Sequence, residues 1–311
     1  MPLKANKKII LCKTEGASYG VDPTPVVGTD AMSVQNFNCQ PANVRYAERN
    51  QALPYFGNRG QIAVGETMTM EFDVEIAGAG AVATKPGYGI LHRGCGCSET
   101  VTPTTGPVTY APISTNEESV AFYFNWDGLM HKMLGAYGSM EFRFAEGQFP
   151  SIHYTFEGLY GGVTDASLGS PVLTAFKEPK AVTKANTTFT LHGYAAPLQS
   201  LTITQGNENV YKNRPNSERM YFINRVTRGQ VVIKLPLVAV KDFIGICRAD
   251  TTGALALVQG TVAGQKVLID AGQVQLTNPR YSEDSNIAML TMDMNFRHTD
   301  AGNDEWTYKT Q

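Results

Sequence analysis

The sequence contains no long apolar run. Nothing in it approaches the roughly 18 consecutive residues that a membrane-spanning helix needs, so the reading has no helical anchor. Charge is sparse and balanced: the formal net charge is −2 and charged residues make up 17% of the chain, against about a quarter in a typical domain. That leaves neither a basic footprint for gripping nucleic acid nor an acidic tail. Cysteine is scarce as well. Cys12, Cys39, Cys95, Cys97 and Cys247 are an odd set in a large chain, which excludes a disulfide framework and leaves reduced thiols as the expectation.

The motifs of nucleotide chemistry are also absent. There is no G-x-x-x-x-G-K-[ST] loop and no G-x-G-x-x-G leaving a strand; Gly94-Cys95-Gly96-Cys97 reads as a helix stop. The five histidines, His92, His131, His153, His192 and His298, are scattered with no H-x-x-x-H spacing. Cys95, Cys97 and His92 carry zinc-ligand chemistry, but a structural zinc site wants four ligands, usually with C-x₂₋₄-C spacing. Plain thiols are the expectation, with no metal, cofactor or catalytic residue. The opening MPLKANKKIILCK sets positive charge before only four apolar residues, Ile9 to Cys12, too few for a secretory h-region. The expectation is a chain made and kept in cytoplasm, or packed into something assembled there.

What is present is alternation and punctuation. Met68, Met70, Phe72, Val74 and Ile76 fall on one face of MTMEFDVEI, with Glu71, Asp73 and Glu75 on the other, the period of two that marks a half-buried strand. Ile152, Tyr154 and Phe156 alternate in the same way. TEGASYGVDPTPVVGTDAM is too rich in Gly and Pro for a regular element and reads as an extended arm. Pro86 opens a short helix closed by Gly94 and Gly96, and SETVTPTTGPVTYAPISTN reads as a loop. Residues 43–62 read as a long loop or a loosely paired hairpin, mixing Arg45, Arg49 and Arg59 with Tyr46, Tyr55 and Phe56; exposed aromatics of that kind need a partner surface.

The chain looks duplicated. Ser119 to Phe142 lies on Gly253 to Leu276 without a gap, with Lys132 on Lys266, Leu134 on Leu268, Gly138 on Gly272 and Met140 on Val274. At another spacing Val34 falls on Leu198, Phe37 on Leu201 and Gly65 on Gly229, while Leu290, Met292 and Met294 answer Ile152, Tyr154 and Phe156. KDFIGICRA takes the place of the Pro86 helix. Three matches in one order are what a repeat leaves in a sequence, and 311 residues hold two domains of about 150 each. The boundaries expected are 1–175, with the arm and long loops, and 176–311. Glu71, Asp73 and Glu75 remain the most informative polar set: a solvated sheet face, or an acidic wall if the strand repeats around a ring. Asp73 and Glu75 also sit as a glycosidase pair could, although solvated strand faces are commonly charged.

With these residues in place, the chain resembles the tail tube proteins of long-tailed, siphovirus-like bacteriophages. The resemblance is carried by KTEGASYGVDPTP, MEFDVEI, PGYGILHRGCGCSETVTP and ERMYFINRVTRGQVVIKL. It implies a mainly β fold of two tandem tube-type β-sandwich or barrel domains, each with a short flanking helix, and a structural virion protein. Subunits would close into rings and rings would stack into a tube through which DNA leaves. Two tube domains per chain imply trimeric, pseudo-hexameric rings, with hexameric rings as the alternative. The partners implied are further copies of the chain, tape measure protein and viral DNA in the lumen, and tail terminator and distal tail proteins at the ends, in the virion tail after assembly in host cytoplasm. Glu71, Asp73 and Glu75 become candidates for the lumen, although Lys234 and Pro236 stand where the second half would repeat them. Arg45, Arg49, Tyr55 and Phe56, with Tyr211, Arg214 and Arg219, become candidate contacts between stacked rings. A carbohydrate-binding or glycan-processing β-sandwich is the rival reading.

Overall fold

Nearly every alternating segment becomes a strand in the computed structural model, which describes residues 2–49, 51–57 and 60–311. In chain order the first part carries β1 (Lys8–Thr14), β2 (Ala31–Met32), β3 (Gln35–Glu48), β4 (Gln61–Glu75), α1 (Gly89–Gly94), β5 (Cys97–Val101), β6 (Val108–Pro112), β7 (Val120–Trp126), β8 (Leu129–Ala145) and β9 (Ser151–Asp165). The second carries β10 (Thr187–Leu191), β11 (Leu198–Thr204), β12 (Asn207–Arg214), β13 (Ser217–Arg225), β14 (Arg228–Lys234), α2 (Phe243–Arg248), β15 (Thr252–Gln259), β16 (Val267–Asp284), β17 (Ile287–Phe296) and β18 (Thr307–Thr310). The chain is mainly β, its strands antiparallel, with one short helix in each half.

Strand order reads the same way twice. Hydrogen bonding runs β3-β4-β9-β8-β7-β1 in the first half and β11-β14-β17-β16-β15-β10 in the second. The helices follow the equivalent strands β4 and β14. Even an irregularity recurs: the β7–β8 pairing slips between Val120↔Ala136 and Phe122↔Met133, and the β15–β16 pairing slips between Gly253↔Val274 and Leu255↔Ala271. Around these two bulges Val120 answers to Gly253 and Ala136 to Val274, so the ungapped match of Ser119–Phe142 to Gly253–Leu276 is one residue out on the first strand of each pair, which exchanges its faces, and four residues out on the second. The reason is turn length. Two residues, 127–128, join β7 to β8, whereas 260–266 separate β15 from β16.

The halves are continuous with each other. β8 carries β7 along one stretch of an edge and β11 along the next, Ala145↔Ser200 to Glu141↔Thr204. C-terminal β18 in turn lies between β16 and β6. One hydrophobic cluster runs from Ile10 and Phe72 to Leu276 and Tyr308, so both parts of the chain fill the same core. The Pro- and Thr-rich stretch after α1 is not a loop. It forms the β5–β6 hairpin, because Val108 and Tyr110 are fully buried while Pro103 and Gly106 occupy only the turn.

Glu15 and Tyr19 pin the N-terminal arm near Gly135, and Asp22 pins it again by accepting from Tyr123 and Lys132. Glu15 accepts hydrogen bonds from the backbone N–H of Gly20 and Gly135 and from the Ser119 hydroxyl. Tyr19 donates to the Gly135 carbonyl at 2.9 Å and accepts the Met220 N–H at 2.7 Å. Gly135 has φ +57°, and a Cβ there would meet the Tyr19 ring at 2.4 Å. Only glycine satisfies both the left-handed backbone and the aromatic lid.

Candidate functional site

Eight strands follow one another in an unbroken sheet, β3-β4-β9-β8-β11-β14-β17-β16. Alternation gives this sheet two unlike faces. Phe72, Phe142, Phe156, Leu201, Val231 and Met292 lie on the inner one, each fully buried, against the layer formed by β1, β7, β10, β15 and the helices. The other face is mostly polar: the β12–β13 ribbon and Tyr19 cover it at Tyr137 and Leu159, and among the described residues no further sheet lies over the rest.

Its side chains lace neighbouring strands together. Asp73 accepts from Asn36 Nδ2 on β3 at 2.7 Å, lies 2.7 Å from His153 Nδ1 on β9, and has Arg143 of β8 at 3.5 Å. Glu75 accepts from Gln35 at 2.7 Å. Glu141 accepts from Arg143 at 2.6 Å and from Thr204 at 2.8 Å across the junction of the halves. Burial raises the Glu141 carboxyl, but these bonds outweigh it and hold its pKa below the usual range. Asp293 on β17 follows the same balance: burial raises it, and Gln230, Asn278 and Arg280 pull it lower. Glu157 goes the other way, because burial outweighs the Arg45 charge and a Thr67 hydrogen bond.

The carboxylates of this face, Glu71, Asp73, Glu75, Glu141, Glu157, Asp284 and Asp293, outnumber Arg45, Arg143, Arg228, Lys234 and Arg280. Its remainder is largely Ser, Thr, Asn and Gln. The second half dilutes the acid of the first. Strand register puts Gln230, Val232 and Lys234 where Glu71, Asp73 and Glu75 stand, since Gly229 and Met70 pair with the equivalent Met294 and Phe156. Pro236 lies beyond the strand, not opposite a carboxylate.

Two hairpins project from the sheet. The β3–β4 hairpin carries Arg45 in its ladder and Arg49 just past it, and its tip exposes Tyr55 (76%) and Phe56 (107%); Arg59 falls outside the described residues. The β12–β13 ribbon continues the β11–β14 hairpin beside it, with Arg214 at its exposed turn. Tyr211, expected from the sequence as an exposed contact, is 4% exposed. Its ring lies over Gly65 and under the Arg45 guanidinium, 4.7 Å from the ring centre, and its hydroxyl donates to Glu218. Arg219 likewise covers Tyr19 at 4.4 Å. Both residues brace the ribbon within the chain, because burying an aromatic ring between two hairpins removes more apolar surface than leaving it at a tip.

The cysteine and histidine cluster near α1 is part of the core. Burial pushes Cys97 up to about 12 and Cys95 well above the usual thiol value. His92, also fully buried, has Nδ1 3.0 Å from Met140 Sδ. Among the described residues no group of three or more His, Cys, Asp or Glu side chains is arranged to hold a metal ion.

The family described as phage tail tube protein matches this chain over residues 6–209, more than half of its length. That span covers the whole first half, the β8–β11 junction and the start of the ribbon. No curated protein matches the chain.

Proposed function

The chain belongs to the phage tail tube protein family, and from that premise we propose that it is the repeating subunit of a tail tube, with a structural and not an enzymatic role. Copies close edge to edge into rings, the rings stack, and the polar face of the eight-stranded sheet lines the conduit for DNA during ejection. The observation that carries this reading is the sheet itself: one face sealed by core, the other mostly polar and largely uncovered, with, among the described residues, an unpaired edge on β3 and on the part of β16 beyond Gln275.

Size favours one ring stoichiometry over the other. With strands about 4.8 Å apart and tilted by roughly 40°, each takes about 6.3 Å of circumference. Three chains give twenty-four strands and a barrel about 50 Å across between backbones, whereas six give one of about 95 Å. The smaller leaves room for one duplex once side chains line it; the larger would hold DNA loosely. A trimeric ring fits, and the repeated strand order supports its reading as a pseudo-hexamer built from a duplicated domain. Glu71, Asp73 and Glu75 are then lumenal. A lumen with excess carboxylates and many neutral hydrogen-bonding groups repels phosphates instead of adsorbing them, which suits passage. Tape measure protein fills the tube before DNA does, and terminator and distal tail proteins cap its ends. Arg45, Arg49, Tyr55, Phe56 and Arg214, on the projecting hairpins, meet the neighbouring ring.

Electron microscopy of the purified chain with mass measurement tests this. The expectation is rings or tubes built from units of three times 33.8 kDa. Dispersed monomers at high concentration, above all ones that bind a glycan, would refute it.

A further inference from the structure

The chain contains within itself one example of the contact that its two ends lack. At the junction of the halves β11 pairs antiparallel with the far part of β8, Leu201 opposite Phe144, Thr202 opposite Arg143 and Ile203 opposite Phe142. β3 is the first-half equivalent of β11: Cys39 faces Met70 on β4 as Ile203 faces Gly229 on β14. β16 is the second-half equivalent of β8. Phe142 pairs with Ile152 on β9, and Tyr281 pairs with Leu290 on β17, where Leu290 and Ile152 occupy the same place. Yet among the described residues β3 pairs only with β4, and β16 beyond Gln275 pairs only with β17.

We infer that the free edge of β3 in one copy of this chain pairs antiparallel with Arg280–Asp284 of β16 in the next, in the register of the β11–β8 junction, so that Cys39 faces Tyr281. This rests on the tube reading and specifies the contact that closes the ring.

The side chains at the two edges suit the pairing. On the core side, Phe142 and Ile203 bury each other's surroundings almost completely, at 0% and 1% exposure, while their equivalents are an isolated Tyr281 at 68% and a half-buried Cys39. Docking would cover the tyrosine as the internal junction covers the phenylalanine. The next pair places Glu283 beside Phe37, and Lys8 Nζ stands 5.9 Å from the Phe37 ring centre, so an exposed carboxylate arrives at an exposed ammonium. On the polar face Ser282 meets Asn38 and Arg280 meets Gln40, hydrogen-bonding pairs like Glu141 with Thr204. A heterologous contact of this kind repeats until it closes, and closure removes the unpaired edges that would otherwise template aggregation.

Disulfide trapping reads the register directly. Facing residues on antiparallel strands have Cα atoms about 4.5–5.5 Å apart, within reach of a disulfide, whereas a two-residue slip moves them by nearly 7 Å along the strand. The full-length chain with Cys247→Ser, to remove the half-buried thiol, and Tyr281→Cys is assembled, checked for rings by microscopy, and mildly oxidised. Most of the chain should shift from the monomer band to covalent two- and three-chain bands, while Glu283→Cys in the same background should leave it monomeric. Should Tyr281→Cys weaken assembly, the pair Asn38→Cys with Ser282→Cys in a Cys39→Ser background reports the same register from the polar face. Rings that cross-link through position 283, or through neither pair, overturn the pairing while leaving the tube reading intact. A wild-type chain that forms no rings overturns both.

Discussion

His92 offers a quantitative test of how the core is built. Its imidazole is wholly buried, with Tyr110 and Tyr308 ring centres at 4.8 Å and Tyr88, Tyr154 and Phe142 around it. The titratable groups facing it are tyrosine hydroxyls and the Cys95 and Cys97 thiols, all pushed up by burial and so neutral near pH 7. Desolvation therefore acts on the imidazolium without compensation and brings its pKa from 6.5 down to about 3. Between those values the unfolded chain binds a proton that the folded chain does not, so stability falls as pH falls from 6.5 towards 3 and is fully present above 6.5. Each pH unit in that window costs about 1.4 kcal/mol, so a drop from pH 7.5 to 4.5 costs about 3 kcal/mol at this one site. His92→Gln removes the titration. The variant starts less stable at pH 7.5 because its side chain packs differently, yet its further loss on going to pH 4.5 should be smaller than the wild type's by about 3 kcal/mol. Urea unfolding at both pH values, at low protein concentration so that assembly does not add stability, measures the difference. Equal losses in the two proteins would mean that His92 is solvated or paired with a charge, and would refute the burial on which the number rests.

Tyr19→Phe keeps the ring stacked near Tyr137 but removes both hydrogen bonds of its hydroxyl, leaving the Met220 N–H without its partner midway along the ribbon. A loss of about 1–3 kcal/mol is expected, with faster amide exchange in β12 and β13, and unchanged exchange there would disprove the clasp. Arg49→Glu with Tyr55→Ala alters only exposed positions of the β3–β4 hairpin, so the unfolding midpoint should stay within about 0.5 kcal/mol of wild type while stacking of rings into tubes is impaired. Tubes of normal length from this double variant would remove the hairpin from the ring-to-ring contact.

Local periodicity was legible in the sequence and pairing was not. The alternation in MTMEFDVEI fixed a strand and its two faces before any neighbour was known, because a period of two is a property of the backbone itself. Pro86 and the glycines after it bounded α1 for a similarly local reason, and Phe37 and Leu201 matched because β3 and β11 carry the same short pattern. Sparse charge, free thiols and the family-bearing motifs likewise needed no coordinates.

Tertiary structure decided everything that depends on which strand lies beside which. A Pro- and Thr-rich stretch became a hairpin because Val108 and Tyr110 found a core to fill. Tyr211 left the exposed set because Gly65 offered it a flat seat under Arg45. Laying one half on the other takes a gap because one turn has two residues and its counterpart seven, and alternation alone tolerates any even slip. The polar network around Asp73 draws on β3, β8 and β9, from Asn36 to His153, a spread that no spacing rule spans. The junction of β8 with β11 was invisible for the same reason, since edge hydrogen bonds come from the backbone and leave little mark on residue type. That junction shows how the two halves join, and it is the pattern on which the inferred pairing between copies is drawn.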